Sequence, residues 1–190
     1  MQTQRYTRAW LTEEYQQGNR RDMRFFWGHH PAKSGVLTVS CFSQWWQGTF
    51  EFDGRTFCCM EQVMMAGKAR LFHDEEMYEA IMHTTDPAAI KKLGRQVKGF
   101  DEAIWNEHKF GLILTGNISK FTSTPELQDF LLSTGDDILV EASPYDRIWG
   151  IGLAAEDERA QDPVLWQGEN LLGFALMQAR DEIRKSGEIR

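Results

Sequence analysis

The sequence predicts an α+β domain, mostly helical with a few short strands. Two observations lead there. Short aromatic and β-branched segments crowd residues 24–57, and a succession of helix-periodic segments bounded by capping residues follows them. A third is the lack of any repeat, low-complexity tract or Pro/Gly-rich linker in 190 residues, a length that one core can serve.

Residues 1–23 are polar and read as an N-terminal extension or short helix, loosely attached, ahead of a domain over 24–190. FFWGHH and GVLTVSCF are expected as strands, and TFEFDGRTF as a hairpin turning at Asp53-Gly54. CMEQVMMAGKARLF and HDEEMYEAIMHT have helical spacing. Asp86-Pro87 supplies an N-cap and a first-turn proline for DPAAIKKLGRQV. EAIWNEHKFGLILTGNISKF is a long helix. ELQDFLLST is capped at Thr124-Pro125 and stopped at Gly135. DDILVEAS reads as a short buried strand, PYDRIWGIGL as a turn-rich stretch, and residues 157–168 as a polar surface loop. ENLLGFALMQARDEIRKSG closes as an amphipathic helix.

The net charge of −7 argues against broad binding to nucleic acid or anionic membranes, which draws on basic surface. No apolar run is long enough to span a bilayer, and the N-terminus lacks the apolar core of a signal peptide, so a cytoplasmic location is expected. Cys41, Cys58 and Cys59 do not form a disulfide framework and lack metal-ligand spacing; buried free thiols are expected. No metal or cofactor is implied: P-loop, GxGxxG, GxSxG and HExxH are all missing.

Glu61 and Lys68 are seven positions apart on one helix, hence two turns and roughly 10 Å along its axis. Among apolar neighbours a lysine loses proton affinity and gains nucleophilicity, while a carboxylate gains proton affinity. Spacing alone equally permits a solvated helix face. Asp146 and Trp149 follow the predicted buried strand. An aspartate there can orient water or steady positive charge on a sugar, a tryptophan can stack on a base or ribose, and Gly150 permits close backbone approach. A turn capped by Asp146, with Trp149 in the core, fits equally. Asn170, opening the last helix, stands where backbone amides could meet an anion or merely cap. His29 and His30 read as exposed loop residues.

In order, CFSQWWQGTFEFDGRTFCCMEQVMMAGKARLF, DPAAIKKLGRQVKGF, LLSTGDDILVEASPYDRIWGIGL and WQGENLLGFALM resemble the NADAR family of YbiA-like proteins over about residues 24–184. The resemblance implies a small α+β N-glycosidase. It would act on phosphorylated ribosylamino-pyrimidine intermediates of riboflavin biosynthesis, releasing ribose 5-phosphate and the base, or on ADP-ribosylated guanine in nucleic acid. A non-catalytic ADP-ribose or nucleotide-binding module is the rival. Carried over by position, the resemblance makes Glu61, Lys68, Asp146 and Trp149 catalytic, with Lys68 attacking ring-opened ribose or protonating the leaving nitrogen. The usual FSN reads Phe42-Ser43-Gln44, with Ser43 at the substrate; the departure at Gln44 touches base recognition rather than the chemistry, whose four positions match the family pattern. Trp149 and Trp105 would stack on the base, and Arg24, Arg95 or Lys98 would receive the 5′-phosphate.

Overall fold

The computed structural model describes residues 3–188. Among them seven helices surround two small sheets. The hairpin forms as read. β2 (Phe50–Phe52) and β3 (Arg55–Phe57) pair antiparallel, with Phe50 opposite Phe57. Asp53 and Gly54 both take positive φ, 50° and 71°, as a two-residue turn of this hand requires.

α2 (Met60–Leu71) is buried along most of its length. It packs against α3 (Glu75–Met82), α4 (Pro87–Gly94) and α5 (Glu102–Phe121). Asp74, Asp86 and Asp101 each cap the helix that follows by accepting a backbone N–H. α6 (Pro125–Leu132) is capped in the same way by Thr124, and α7 (Leu171–Glu188) lies along α5.

β1 (Met23–Phe26) and β4 (Ile138–Glu141) pair in parallel, from Met23 opposite Ile138 to Phe26 opposite Glu141. Ile138, Leu139 and Val140 are fully buried, and α7 packs on β4. Because the strands are parallel, the chain leaves both at the same edge, Trp27–His30 from one and Ser143–Trp149 from the other. Parallel sheets bind ligands at that carboxyl edge.

The segment GVLTVSCF is not a strand. Thr38 Oγ1 accepts the Ser40 amide and opens a 3-10 turn over Val39–Phe42. This local side-chain bond competes with strand pairing, and the turn drops Phe42 into an aromatic cluster with Phe26, Phe121 and Phe130. Residues 157–168 are less superficial than their polarity indicates: Ala160 and Trp166 are buried, and Trp166 Nε1 donates to Ala160 O at 2.8 Å. The N-terminal stretch contains α1 (Arg8–Gln16) and is fastened to the body. Leu11 is in the core, and Arg5 and Tyr6 both reach Asp181 of α7. No helix among the described residues is long and apolar enough to cross a membrane.

Candidate active site

At the carboxyl edge of β1 and β4 a cleft of about 420 Å³ opens between the first turn of α2, the middle of α4 and the loop after β4. Glu61 lines it. Its backbone is set by its N–H donating to Gln44 O at 2.8 Å, and Trp45 Nε1 donates to its Oε2 at 3.1 Å. The side chain is 1% exposed, and Oε1 has no hydrogen-bond partner. Burial raises the carboxyl above the ordinary glutamate range, as does Asp146; Lys91, the Trp45 bond and Lys68 pull it back.

Glu141, last residue of β4, lines the same cleft. Its N–H donates to Asn170 Oδ1 at 2.9 Å, its carbonyl accepts the Ile151 amide, and its Oε2 is buried without a partner. Burial, reinforced by Asp146 and Glu61 and opposed by Lys91, lifts it to about 8. Asp146 is both structural and cleft-lining: Oδ1 accepts the amides of Ile148 and Trp149, each at 2.8 Å, while Trp149 is nearly buried in the wall. Ser43 lines the cleft with its Oγ accepting the Trp45 amide.

Lys91 is the lysine that lines the cleft, its ammonium 5.7 Å from the Trp45 ring centroid. Lys68 sits apart. It donates to Gly94 O at 3.3 Å, with the Phe100 and Trp105 centroids 5.1 and 5.3 Å away. Burial lowers its proton affinity, as do Arg95 and Lys91, against the pull of Glu61. Lys68, Trp105 and Arg95 thus form a second cluster beside the cleft. Arg24 turns away and binds Asp137 Oδ2 through Nε and a terminal nitrogen, at 2.9 and 2.7 Å. Lys98 pairs with Glu76 on the surface.

Gly150 and Asn170 shape the loop. A Cβ on Gly150 would lie 2.8 Å from Glu141 O and 3.0 Å from Asp146 O. Asn170, at φ 54°, is fully buried and brackets β4, accepting the Glu141 amide and donating to Leu139 O. Among the described residues no group of three or more His, Cys, Asp or Glu side chains is placed to hold a metal ion.

The family model for the NADAR domain matches residues 25–184. This chain belongs to the NADAR family. It is 42% identical over 158 residues to an N-glycosidase of Acanthamoeba polyphaga mimivirus, covering 80% of this chain and 93% of that one. It is 35% identical over 112 residues to the chloroplastic riboflavin biosynthesis protein PYRR of Zea mays, covering 57% of this chain but only 16% of the maize protein. In fold it matches the NMR structure of the E. coli protein YbiA, with a TM-score of 0.71, 22% identity and 90% of each chain covered.

Within this NADAR domain the cleft gathers Lys91, Glu141 and Trp45, which sequence reasoning passed over, and His29 and His30, which it read as exposed loop residues. Lys91 reads as one charge on an amphipathic helix, and Glu141 as the polar end of a buried strand. The strand expected through FFWGHH ends at Phe26, so the histidines are in the loop beyond it; they line the cleft, and His29 is half-buried with its ring 5.5 Å from Trp45. One signal was available in Glu141, an acidic residue directly after three apolar ones where strands end and sites begin.

Proposed function

We propose that this NADAR protein hydrolyses the ribose C1′–N bond of a phosphorylated ribosylamino-pyrimidine, releasing ribose 5-phosphate and the base. That it is a glycosidase acting on N-glycosyl bonds follows from its family and from its 42% identity to the mimivirus N-glycosidase. The pyrimidine substrate is supported by its relation to the maize riboflavin biosynthesis protein. The observation that carries the reading is a convergence of unpaired acceptors. Three buried oxygens without partners, Gln44 Oε1, Glu61 Oε1 and Glu141 Oε2, belong to residues lining the one cleft. Buried polar atoms are normally paired, so the ligand should bring the donors. A ribose with an amino-substituted base offers them as hydroxyl and amine hydrogens.

Departure of the base builds positive charge on C1′ and the ring oxygen. In this reading Asp146 and Glu61 face that charge and orient water, while Glu141, protonated below pH 8, gives its proton to the leaving nitrogen. Lys91 is the cleft cation for the 5′-phosphate. In the covalent route Lys68, with its amine made more available by burial, swings from Gly94 O to attack C1′ of the ring-opened N-riboside. The C1′–N bond breaks, the base leaves with the donated proton, and water then hydrolyses the Lys68 Schiff base to ribose 5-phosphate and the free amine.

Purified protein incubated with ribosylamino-pyrimidine phosphate, and separately with ADP-ribosylated guanine, should release base from the first, detected by mass. Release from the second alone would transfer the reading to nucleic-acid repair, and release from neither would leave a binding module. Borohydride reduction during turnover should add ribosyl mass at Lys68. An adduct at Lys91 would reassign the nucleophile, and no adduct would mean direct attack by water.

A further inference from the structure

The cleft has an aromatic mouth that the chemistry above does not use. Trp27 is 58% exposed and Tyr145 is 86% exposed, and both line the cleft. Large apolar rings this open serve no core, and grouped at a cleft they mark a contact surface. Their placement follows from topology. Trp27 directly follows β1, Tyr145 is the fourth residue after β4, and the parallel pairing sends both off the same edge. The ring centroids are 6.2 Å apart with planes at 52°. Trp149, by contrast, is nearly buried in the wall and offers little open ring face.

Inside this mouth stands Gln44. It is 6% exposed, and its Oε1 has no partner. Its backbone carbonyl is held by the Glu61 amide, and on its other side the Trp45 amide is tied to Ser43, so the side chain departs from a fixed point. An amide oxygen kept dry and unpaired at a ligand cleft accepts an N–H from the ligand or costs stability for nothing.

Resting on the N-riboside reading, we propose that Trp27, Tyr145 and Gln44 form the subsite for the departing base. One face of the base lies against this tilted ring pair, and Gln44 Oε1 accepts an exocyclic amine or ring N–H at its edge. The subsite therefore takes flat nitrogen heterocycles that present a donor at that edge. It discriminates against bases presenting only acceptors there, because Gln44 would then remain buried and unpaired.

The experiment measures KM for the ribosylamino-pyrimidine phosphate, together with inhibition constants for free aminopyrimidine base and for ribose 5-phosphate. Trp27→Ala and Tyr145→Ala, both surface changes, should raise KM and the base inhibition constant roughly five- to a hundredfold, in line with lost base stacking. They should leave the ribose 5-phosphate constant where it was. Gln44→Leu should erase the preference for an amino-bearing base over its des-amino analogue, and Gln44→Glu, which keeps an acceptor, should retain it. Unchanged base inhibition in both aromatic variants overturns the subsite, as does an equal loss for base and ribose 5-phosphate. A wild-type protein that binds the base through Trp27 and Tyr145 yet cleaves no N-riboside would sink the proposed reaction and leave the subsite standing.

Discussion

Glu141 is the residue whose surroundings make the sharpest demand on chemistry. Held at the end of β4 with one oxygen unpaired, it keeps its proton to about pH 8. If it is the donor to the leaving nitrogen, kcat should fall as pH rises through about 8. Glu141→Gln should lose on the order of a hundredfold or more in kcat and flatten that limb of the profile; a variant with wild-type turnover would remove Glu141 from the mechanism. The same proton has a stability consequence. An unfolded chain releases it near the ordinary value of 4.5, the folded one only near 8, so between those values the native state binds more protons. This group's contribution therefore declines as pH rises from 4.5 to 8 and stays lost above. Denaturant midpoints across that window should slope down less in Glu141→Gln than in the wild type. The four positions singled out first had mixed outcomes in space. Glu61, Asp146 and Trp149 share the cleft, and Lys68 stands in the adjoining cluster, where it donates to Gly94 O while still feeling the Glu61 carboxylate.

Elements carry the site through two buried polar anchors. Asn170 joins the start of α7 to β4 by two hydrogen bonds and occupies a left-handed backbone conformation. Asn170→Ala would orphan the Glu141 amide and the Leu139 carbonyl and place a Cβ-bearing, non-Asx residue at φ 54°. A loss of about 2–4 kcal/mol in urea-melt stability is expected, with activity falling as Glu141 shifts. Lys120 does the same for the loop before β2. Wholly buried on α5, it donates to Cys41 O at 2.6 Å and Ser43 O at 3.4 Å, beneath the residues that carry Gln44 and Trp45 into the cleft. Burial draws its ammonium down to about 8. The unfolded chain keeps this proton up to about 10.5, so its contribution to stability improves as pH rises from 8 to 10.5. Lys120→Ala should cost about 2–4 kcal/mol, from the cavity and the two orphaned carbonyls; a melt unchanged within 0.5 kcal/mol by order of magnitude would show the loop to be held by other means.

Across the whole molecule the net charge is −7, yet Lys91 lines the cleft and Lys68 and Arg95 stand beside it, none with an ion-pair partner among the described residues. Unpaired cations at one cleft of an otherwise acidic molecule favour a small phosphate ester over a long polyanion. Ribose 5-phosphate affinity should weaken with added salt, and Lys91→Met should reduce both the affinity and its salt dependence. Undiminished affinity in that variant would move the phosphate elsewhere, with Arg95 the next group to replace.

Sequence alone determined most of the helices, because capping residues, periodic apolar stripes and stops act within a few positions: Asp86-Pro87, Thr124-Pro125 and Gly135 are read locally and work locally. It also determined the hairpin at Asp53-Gly54 and, through the order of its motifs, the family. Only the tertiary structure decided that GVLTVSCF turns into a 3-10 segment, that β1 pairs with a strand more than a hundred residues away, and that Lys91, Glu141, Gln44 and Trp27 meet Glu61. Those outcomes depend on burial and on which oxygens are left unpaired, and both arise only when distant segments exclude water from one another.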